Sequence, residues 1–394
     1  MTFDRILTHR QEFPFLDQYA YFNYGGQGLM SRRALEAVTQ AQETLQRIAP
    51  FSQAAYDYSL QLTEDLRRTI AGELGAPPDS ITLTEDTTVG CNIALWGLDW
   101  QAGDHLLITD CEHQGVLAIV QELQHRFSIE VSVCPLLPTL NGGDPVTTLV
   151  SYLRPNTRMV VLSHVLWNTG QVLPLEPIVA GCRSHSDRVR ILVDAAQSVG
   201  VLPLNLTTLG ADYYAFTCHK WWCGSAGVGG LYVRPEVREA LRPTFIGWRS
   251  IRTNAQGKPI AWEGGGKRYE VATSAVLLYP GVTTAIQVQQ SLGSAAERYG
   301  MICDRSRYLW EQLQTIPQVT TLRTTPPESG LVSFQITSGP QQAQHRGLVM
   351  GLESQGILVR LLLDPNCIRA CTHYFTTEAE IDRLVAEIGA IVGK

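Results

Sequence analysis

Residues 212–233 read DYYAFTCHKWWCGSAGVGGLYV, and this stretch carries the strongest structural signal in the chain. An apolar run leads into Thr217, His219 and Lys220, a glycine-rich turn follows, and a second apolar run, VGGLYV, comes next. Short apolar runs bounded by turn residues are typical of buried strands. The glycines do not precede the Gly-Lys-Ser or Gly-Lys-Thr start of a helix, which argues against a nucleotide-binding P-loop. We therefore expect Lys220 at the carboxyl end of a buried strand.

Five more short apolar runs precede that stretch, and most are separated by segments compatible with helices. We interpret them as strands: SITLT (80–84), HLLITD (105–110), IEVSV (129–133), RMVVLSHV (158–165) and RILVDAAQ (190–197). Strands that alternate with helices form a mainly parallel sheet with helices on both faces. The sequence thus predicts an α/β domain built on seven strands. Two helices are expected before them, over about 31–48 with Ser31 as N-cap, and over 56–75.

After these strands the pattern loosens, and the glycine-rich segment NAQGKPIAWEGGGKR (254–268) predicts a loop. We then expect a long helix, two strands and a terminal amphipathic helix, at about 291–313, 330–337, 357–363 and 376–393. The expected organisation has three parts. Residues 1–20 pack on either domain, residues 21–260 form a large ligand-binding domain, and residues 261–394 form a linker and a smaller α+β C-terminal domain.

Composition limits the class of protein. The chain has 394 residues, of which 44% are hydrophobic, so a large core is expected. A formal net charge of −6 argues against a nucleic-acid surface, which needs clustered Lys and Arg. The sequence has no apolar run long enough to cross a membrane, no signal-peptide stretch and no Cys-x-x-Cys pair among its nine cysteines. We therefore expect a cytoplasmic protein with reduced cysteines and no metal site, membrane partner or nucleic-acid partner.

Polar residues follow several of the expected strands, and ligands of parallel sheets gather at the carboxyl ends of the strands. Thr87 and Thr88 follow SITLT at a helix start, where free N–H groups attract a phosphate; the alternative is an N-cap by one threonine. His113 follows HLLITD, either stacked on a cofactor ring or hydrogen-bonded within the fold. His164 and Asn168, near the end of RMVVLSHV, are candidates for polar contacts to a ligand.

Asp194 and Lys220 carry the clearest chemistry. Asp194 closes an apolar strand, and a buried carboxylate needs either a cationic partner, such as a protonated pyridine nitrogen, or backbone N–H donors. Lys220 lies beside two tryptophans and close to the expected phosphate site. Burial lowers the pKa of a lysine amine, which suits Lys220 to Schiff-base chemistry.

In combination these motifs resemble the class V aminotransferase family of pyridoxal-phosphate (PLP) enzymes. The likeness rests on Asp194-Ala-Ala-Gln197, on Thr217-Cys-His219-Lys220 followed by Gly227-Val-Gly, and on the order of Thr87-Thr88, His113, His164, Asp194, Lys220 and Arg369. The family includes cysteine desulfurases, related C–S lyases and isopenicillin-N-epimerase-like enzymes. The resemblance implies a fold type I PLP-dependent transferase, with a mainly parallel seven-stranded sheet and a small C-terminal domain.

The resemblance also implies a role for each matching residue. Lys220 corresponds to the Schiff-base lysine, His113 to the ring-stacking histidine and Asp194 to the partner of the pyridinium nitrogen. The remaining implied cofactor contacts are Gln197 and Asn168 near the ring oxygen, and Thr87, Thr88, Thr217 and His219 at the phosphate.

Two C-terminal segments extend the resemblance. YEVATSA (269–275) resembles a family segment whose threonine, here Thr273, reaches the phosphate of a neighbouring subunit, which implies a homodimer; Ala272 stands where the family has Gly. Arg369 matches the arginine that holds the substrate α-carboxylate. Arg360 is a candidate for the distal carboxylate of cystine, or pairs with a structural carboxylate.

Two departures from the family pattern bear on the reaction. Desulfurases carry a nucleophilic cysteine on a longer loop between the two arginines, whereas LLLDPNCI alone separates Arg360 from Arg369, and Cys367 is not at the family position. Desulfurases also usually have Asn where Trp167 stands, which makes Asn168 the substitute. Without the nucleophile, sulfur leaves directly by β-elimination, with Lys220 as general base.

The expected activity is therefore that of a C–S lyase, similar to the L-cysteine/cystine lyases of the family. Cystine is expected to be a better substrate than cysteine because a persulfide leaves more readily than a thiolate, giving pyruvate, ammonia and cysteine persulfide or sulfide. The released sulfur would supply an acceptor for iron–sulfur cluster assembly. The alternatives are a persulfide-forming desulfurase that uses Cys367, another class V transaminase or epimerase-like enzyme, and a non-catalytic PLP-binding scaffold.

Overall fold

The computed structural model describes residues 3–337 and 341–393. The helices are α1 (Phe3–Arg10), α2 (Arg32–Arg47), α3 (Gln53–Leu74), α4 (Thr87–Trp96), α5 (Gln114–Phe127), α6 (Pro145–Val150), α7 (Leu175–His185), α8 (Leu206–Leu209), α9 (Tyr279–Leu292), α10 (Ala295–Leu313), α11 (Gln341–Ser354) and α12 (Glu378–Val392). The strands are β1 (Ala20–Tyr21), β2 (Ile81–Thr84), β3 (His105–Thr109), β4 (Glu130–Cys134), β5 (Thr157–Ser163), β6 (Arg190–Asp194), β7 (Tyr213–Thr217), β8 (Gly229–Val233), β9 (Ile251–Thr253), β10 (Pro259–Trp262), β11 (Val319–Thr321), β12 (Leu331–Ile336), β13 (Ile357–Leu358), β14 (Arg360–Leu363) and β15 (Asn366–Cys371).

Seven strands form the large sheet, in the order β2-β8-β7-β6-β5-β3-β4. Strand β8 runs antiparallel to its neighbours β2 and β7, and the other pairs are parallel. The predicted mainly parallel seven-stranded sheet is confirmed. Its central strands β5 and β6 are mainly apolar because both faces are covered: Ile191 and Val193 of β6 pack in one core, and Leu192 packs in the other.

Helices cover both faces of this sheet. Helices α4 and α5 contribute to one core, and α3, α7 and α9 contribute to the other. The predicted N-cap of α2 is confirmed, since the Ser31 hydroxyl accepts a hydrogen bond from the Ala34 N–H at 3.2 Å. Helix α3 ends as expected at Gly75, whose φ of 60° lies in the left-handed region.

The region between the two domains differs from the sequence prediction. The expected loop 254–268 contains β10, which pairs with β9 in an antiparallel hairpin. The expected single helix over 291–313 is wrong, because α9 ends at Leu292 and α10 starts after Ser294, whose hydroxyl caps it. Gly293 between them has an extended backbone, which interrupts the helical hydrogen bonds. Helix α9 itself was not predicted.

The C-terminal part is a smaller α+β layer. Its sheet is antiparallel, in the order β11-β12-β15-β14, and α10, α11 and α12 pack on it. The expected strand over 357–363 is two strands, because β13 pairs in parallel with β1 while β14 pairs with β15. Strand β1 thus joins the N-terminal part of the chain to the small domain, and Ala20 and Phe22 belong to its core.

The domain boundary is better placed after α9 than near residue 260. Val282 and Ile286 of α9 pack in the core of the large sheet, against helix α3. The small-domain core begins with α10, where Leu309 is the first of its buried members along that helix. We therefore propose a boundary near Gly293. The N-terminal segment contacts both domains, since α1 packs against α9 and Arg10 pairs with Glu380 of α12 at 2.6 Å.

Within the described ranges, no helix combines the length and the apolar character needed to cross a membrane. The same ranges contain no cluster of three or more His, Cys, Asp or Glu side chains arranged to hold a metal ion. All nine cysteines are free thiols.

Candidate functional site

A cavity opens at the carboxyl ends of β5, β6 and β7, beside the start of α4. It is lined by Asp86, Thr87, Thr88, His113, Ser163, Val165, Trp167, Asp194, Ala196, Gln197, Thr217, His219 and Lys220. The structure thus brings together eight of the predicted site residues: Thr87, Thr88, His113, Asp194, Gln197, Thr217, His219 and Lys220. They converge because the ends of neighbouring parallel strands meet at one edge of the sheet.

One end of the cavity is suited to an anion. The N-cap of α4 is Asp86, whose carboxylate accepts a hydrogen bond from the Val89 N–H at 2.9 Å. The helix is therefore not capped by Thr87 or Thr88. Thr87 and Thr88 occupy the first helical turn, where backbone N–H groups lack partners within the helix. The Thr87 hydroxyl is buried and has no hydrogen-bond partner among the described residues. A ligand with acceptor oxygens would satisfy it.

Strand β7 and the turn after it supply the opposite wall of that end. The Thr217 hydroxyl and His219 Nδ1 are 2.6 Å apart. This hydrogen bond fixes the imidazole beside the start of α4, and burial lowers the pKa of His219. Both side chains therefore present polar atoms toward the same anion end.

Asp194 ends strand β6 with its carboxylate only 6% exposed. One carboxylate oxygen accepts from the Ala196 N–H at 2.9 Å, and no Lys or Arg of the described residues forms an ion pair with it. Burial raises the pKa of Asp194, because a buried carboxylate has lost its hydration. A cationic ring nitrogen in the cavity would supply the missing partner.

Lys220 faces Asp194 across the cavity. The pKa of its amine is lowered from 10.5 to about 8, mainly by burial; the charge of Asp194 opposes this change and the positive charge of Arg369 adds to it. A lysine of this kind is partly deprotonated near neutral pH. It can therefore act as a nucleophile toward a carbonyl or as a base.

His113 is the N-cap of α5, and its Nδ1 accepts from the Gly115 N–H at 3.1 Å. Nδ1 is therefore unprotonated and Nε2 carries the hydrogen in the neutral ring. Partial burial lowers the pKa of His113, which favours that neutral form. Its ring meets the Trp167 ring edge-on, with centroids 5.6 Å apart. The two rings form one side of the cavity, against which a flat ligand can stack.

Sequence reasoning missed the contribution of residues 24–28, YGGQG, which we call the glycine loop. Gln197 Nε2 donates to the Gly25 carbonyl at 2.9 Å, and the Gly28 N–H donates to the His219 carbonyl at 2.7 Å. Gln197 also accepts from Trp221 Nε1 at 2.9 Å. The glycine loop is thereby attached to the cavity wall. The cluster of three glycines was a visible signal of close backbone packing.

Arg369 approaches the cavity from strand β15 of the small domain. Its Nη1 donates to the Trp167 carbonyl at 2.7 Å, and its buried Nε has no partner among the described residues. Arg360 lies directly opposite Arg369 in the pairing of β14 with β15. Directly opposite residues of antiparallel strands share a sheet face. Arg360 is exposed, and the described residues offer it no ion pair.

Three other predicted residues do not line the cavity. The Asn168 amide donates to the Asp364 carbonyl at 3.4 Å, and Trp167 faces the cavity in its place. His164 Nδ1 is 2.8 Å from the Tyr214 hydroxyl, away from the cavity. Thr273 is exposed on the surface. We therefore leave Asn168 out of the ligand set, and Thr273 can take part only through another subunit.

Glu112 is a second feature that sequence reasoning missed. Its buried carboxylate accepts from the Thr109 hydroxyl at 2.5 Å, from the Ser163 N–H at 2.9 Å and from the Ser163 hydroxyl at 2.7 Å. Burial raises the pKa of Glu112 to about 7. The side chain ties the ends of β3 and β5 together directly before His113. Its position between a strand and a helix gave no signal in the sequence.

A family model described as aminotransferase class-V matches residues 31–384. Among solved structures, the cystine C-S lyase C-DES in complex with its reaction product cysteine persulfide is 50% identical with a TM-score of 0.93, covering 96% of this chain and 99% of that one. A mutant of C-DES with glycine covalently linked to the PLP cofactor is 49% identical with a TM-score of 0.94, covering 96% and 98%.

More distant relatives carry other activities. The isopenicillin N epimerase of Streptomyces clavuligerus is 27% identical over 94% of each chain. A cysteine desulfurase of Salmonella newport is 29% identical over 79% of this chain and 78% of its own.

Proposed function

The chain belongs to the class-V aminotransferase family, and from that premise we propose that it is a PLP-dependent carbon–sulfur lyase. It cleaves L-cystine, and L-cysteine less well, by β-elimination to pyruvate, ammonia and cysteine persulfide or sulfide. The observation that carries this proposal is the 50% identity, over 96% of the chain, to the cystine C-S lyase C-DES. Relatives with other activities are far less similar.

The cavity fits PLP group by group. The unpartnered Thr87 hydroxyl, with Thr88, Thr217 and His219 around it, suits the phosphate. Asp194 suits the ring nitrogen, because it is buried without a cation of its own. When bound, PLP supplies an electron sink that stabilises negative charge at the substrate α-carbon.

Three more lining residues would contact the cofactor. His113 would stack on the ring, Gln197 would lie beside it, and Lys220 would serve as the Schiff-base lysine. The placement of Gln197 is supported by its two hydrogen bonds, which fix the amide at the cavity wall.

Three residues carry the proton transfer and the orientation of the substrate. Lys220, with a pKa of about 8, takes up and returns a proton near neutral pH, which suits the base that removes the α-proton. Asp194 keeps negative charge beside the ring nitrogen. Arg369 keeps a buried Nε without a partner among the described residues while Nη1 donates to the Trp167 carbonyl, so its guanidinium has a donor left for the substrate α-carboxylate.

Arg360 supports cystine as the substrate. Cystine has two carboxylates, and the exposed guanidinium of Arg360 lies on the same sheet face as Arg369, one strand away. Two neighbouring arginines suit cystine better than cysteine, because each guanidinium can pair with one of the two carboxylates of cystine, whereas cysteine has only one carboxylate. Departure of a persulfide from cystine is also easier than departure of a thiolate from cysteine.

Cys367 argues for elimination rather than persulfide transfer. The thiol is fully buried on β15, and burial raises its pKa to about 12. A nucleophilic cysteine needs exposure and a lowered pKa. In addition, β14 ends at Leu363 and β15 begins at Asn366, so the turn is too short to carry a mobile cysteine to the substrate.

Product analysis tests the proposal. Purified protein supplemented with PLP is incubated with L-cystine or L-cysteine, and pyruvate, alanine and sulfide are measured. We expect pyruvate, faster from cystine, and no change with Cys367→Ser. Alanine as the product, lost in Cys367→Ser, would mean a desulfurase. Conversion of the cofactor to its pyridoxamine form would mean a transaminase, and an inverted amino acid without pyruvate would mean an epimerase-like enzyme.

The quaternary state belongs to the same proposal. Phe245, Ile246 and Trp248 are 59%, 60% and 58% exposed and form an apolar cluster. The Arg249 N–H donates to the Val271 carbonyl at 3.2 Å, which places this cluster next to the segment of Thr273. A patch of this kind suits a subunit interface. We propose a homodimer in which Thr273 reaches the neighbouring phosphate site. Cytoplasmic location and a sulfur acceptor in iron–sulfur assembly stay predictions.

A further inference from the structure

The glycine loop is hydrogen-bonded to Gln197 and His219 of the cavity wall and also approaches Arg369. The Tyr21 hydroxyl donates to the Gln27 carbonyl at 2.6 Å, and the Cys371 N–H donates to the Phe22 carbonyl at 2.8 Å. Both ends of the glycine loop are therefore fixed to the protein. Its backbone passes directly against the guanidinium of Arg369.

Gly25 makes the closest approach to that guanidinium. A Cβ added at Gly25 would lie 2.9 Å from Arg369 Nη2, 3.0 Å from Arg369 Cζ and 3.0 Å from Cys371 Sγ. Real Cβ atoms essentially never have neighbours closer than 3.0 Å. The φ of Gly25 is outside the left-handed region, so alanine can adopt the same backbone. The atoms that must move belong mainly to the end of a flexible side chain.

We propose that Gly25 is the positioning residue that sets the orientation of Arg369, and so determines selectivity for the substrate α-carboxylate. The guanidinium lies between the bare backbone of Gly25 and the Trp167 carbonyl, which accepts from Nη1 at 2.7 Å. Any side chain at position 25 displaces Nη2 and Cζ, and with them the edge that binds the carboxylate. This inference rests on the proposed function, because it assigns the carboxylate to Arg369.

Gly28 in the same loop has a different role. A Cβ at Gly28 would collide with the Lys220 carbonyl oxygen and lie 2.7 Å from Cys223 Sγ. Backbone cannot move aside as a guanidinium can, so Gly28→Ala disturbs the lysine and cofactor binding. Gly25→Ala is expected to spare cofactor binding, and the two variants therefore separate the substrate effect from the cofactor effect.

The experiment compares wild-type holoenzyme with Gly25→Ala, using L-cystine and its dimethyl ester, which has no free carboxylate. We expect the KM for L-cystine to rise at least about tenfold, because the loss of one well-aligned hydrogen bond to a charged group weakens binding by about that factor. The kcat should change little. The preference for the acid over the ester should shrink by the same factor, and cofactor affinity by absorbance titration should be unchanged. Gly72→Ala is the matched control, because a methyl group there meets nothing within 4 Å among the described residues.

A double-mutant cycle with Arg369→Lys tests whether Gly25 acts through the Arg369 guanidinium, even if the single variant has several defects. Adding Gly25→Ala to Arg369→Lys should cause no further loss, because the guanidinium it acts on is gone. Additive losses, an unchanged ester preference or a weakened cofactor would each overturn the inference. If cystine yields no pyruvate, the proposed function fails, but the binding of L-alanine and its methyl ester, followed by the holoenzyme's absorbance, still tests Gly25.

Discussion

Asp194 and Lys220 respond to the same burial in opposite directions. The pKa of Asp194 is raised and the pKa of Lys220 is lowered, because burial favours the neutral form of each group. Burial in the cavity therefore makes the charged form of each group less stable than it would be in water. A cationic ring nitrogen beside Asp194 and a covalent bond at Lys220 would relieve both costs. The site is built for a cofactor rather than for the stability of the cofactor-free protein.

Replacement of Lys220 by Met tests this cost. Because the folded-state pKa of about 8 lies below the unfolded value of 10.5, the destabilisation is fully present below pH 8 and fades as the pH rises toward 10.5. Cofactor-free Lys220→Met should therefore be more stable than the cofactor-free wild type at pH 7, by up to about 3 kcal/mol. Denaturant unfolding at pH 7 and pH 10 measures the difference, with exposed Lys258→Met as control. A gain that does not change with pH would point to packing instead.

The residues that sequence reasoning placed at the cavity share one property: each stands at, or just after, the end of a buried strand. Asp194 and Lys220 follow this rule, and the topology of parallel strands brings them together. Asn168 does not line the cavity, because a shift of one residue changes which way a loop side chain points, and Trp167 lines it instead. Gly25 was not predicted, because its role depends on its close approach to Arg369, which lies far away in the sequence.

The first turn of helix α4 has a buried polar group that the protein itself leaves without a hydrogen bond. Asp86 caps the helix, which leaves the Thr87 hydroxyl buried without a partner among the described residues. An unsatisfied buried hydroxyl costs stability, and a bound phosphate would remove that cost. A bound phosphate would therefore satisfy the first turn of this helix.

Thr87→Val removes the hydroxyl while keeping the shape. We expect the cofactor-free variant to unfold at the same or slightly higher denaturant concentration, while PLP affinity falls about tenfold, the value of one hydrogen bond to a charged group. Absorbance titration and urea unfolding measure the two quantities, and Thr87→Ser serves as the control that keeps the hydroxyl. Loss of stability without loss of affinity would make Thr87 a structural residue.

Strands and helices were predictable where the apolar pattern of a segment agrees with its place in the alternation of strands and helices. All seven strands of the large sheet were predicted, because most of them are short apolar runs and helices separate the first five. The region after β8 was harder, since β9 and β10 form an exposed hairpin with little apolar pattern and α9 carries small and polar residues through its buried face. Extended Gly293 divides α9 from α10 where the composition alone suggested one helix.

At the scale of the whole molecule, the substrate site needs both domains and, by our proposal, a second subunit. The residues proposed to hold the cofactor lie on the large domain, while Arg360 and Arg369 lie on strands of the small one. The glycine loop lies at the N-terminal edge of the large domain and contacts residues of both domains. Relative motion of the domains would therefore move the two arginines that we propose to bind carboxylates relative to the proposed cofactor site.

A mixture of two inactive variants tests the second subunit. Lys220→Ala lacks the base, and Thr273→Asp places a negative charge where the partner's phosphate is expected. If Thr273 acts across the interface, a mixed dimer combines both defects in one site and leaves the other intact. Random mixing should then restore about one quarter of wild-type activity in a symmetric dimer. Thr273→Ser is the control that keeps the hydroxyl. No recovery in mixtures shown to contain hybrids by mass would place Thr273 outside the neighbouring site, and a monomer in sedimentation would rule out the interface as well.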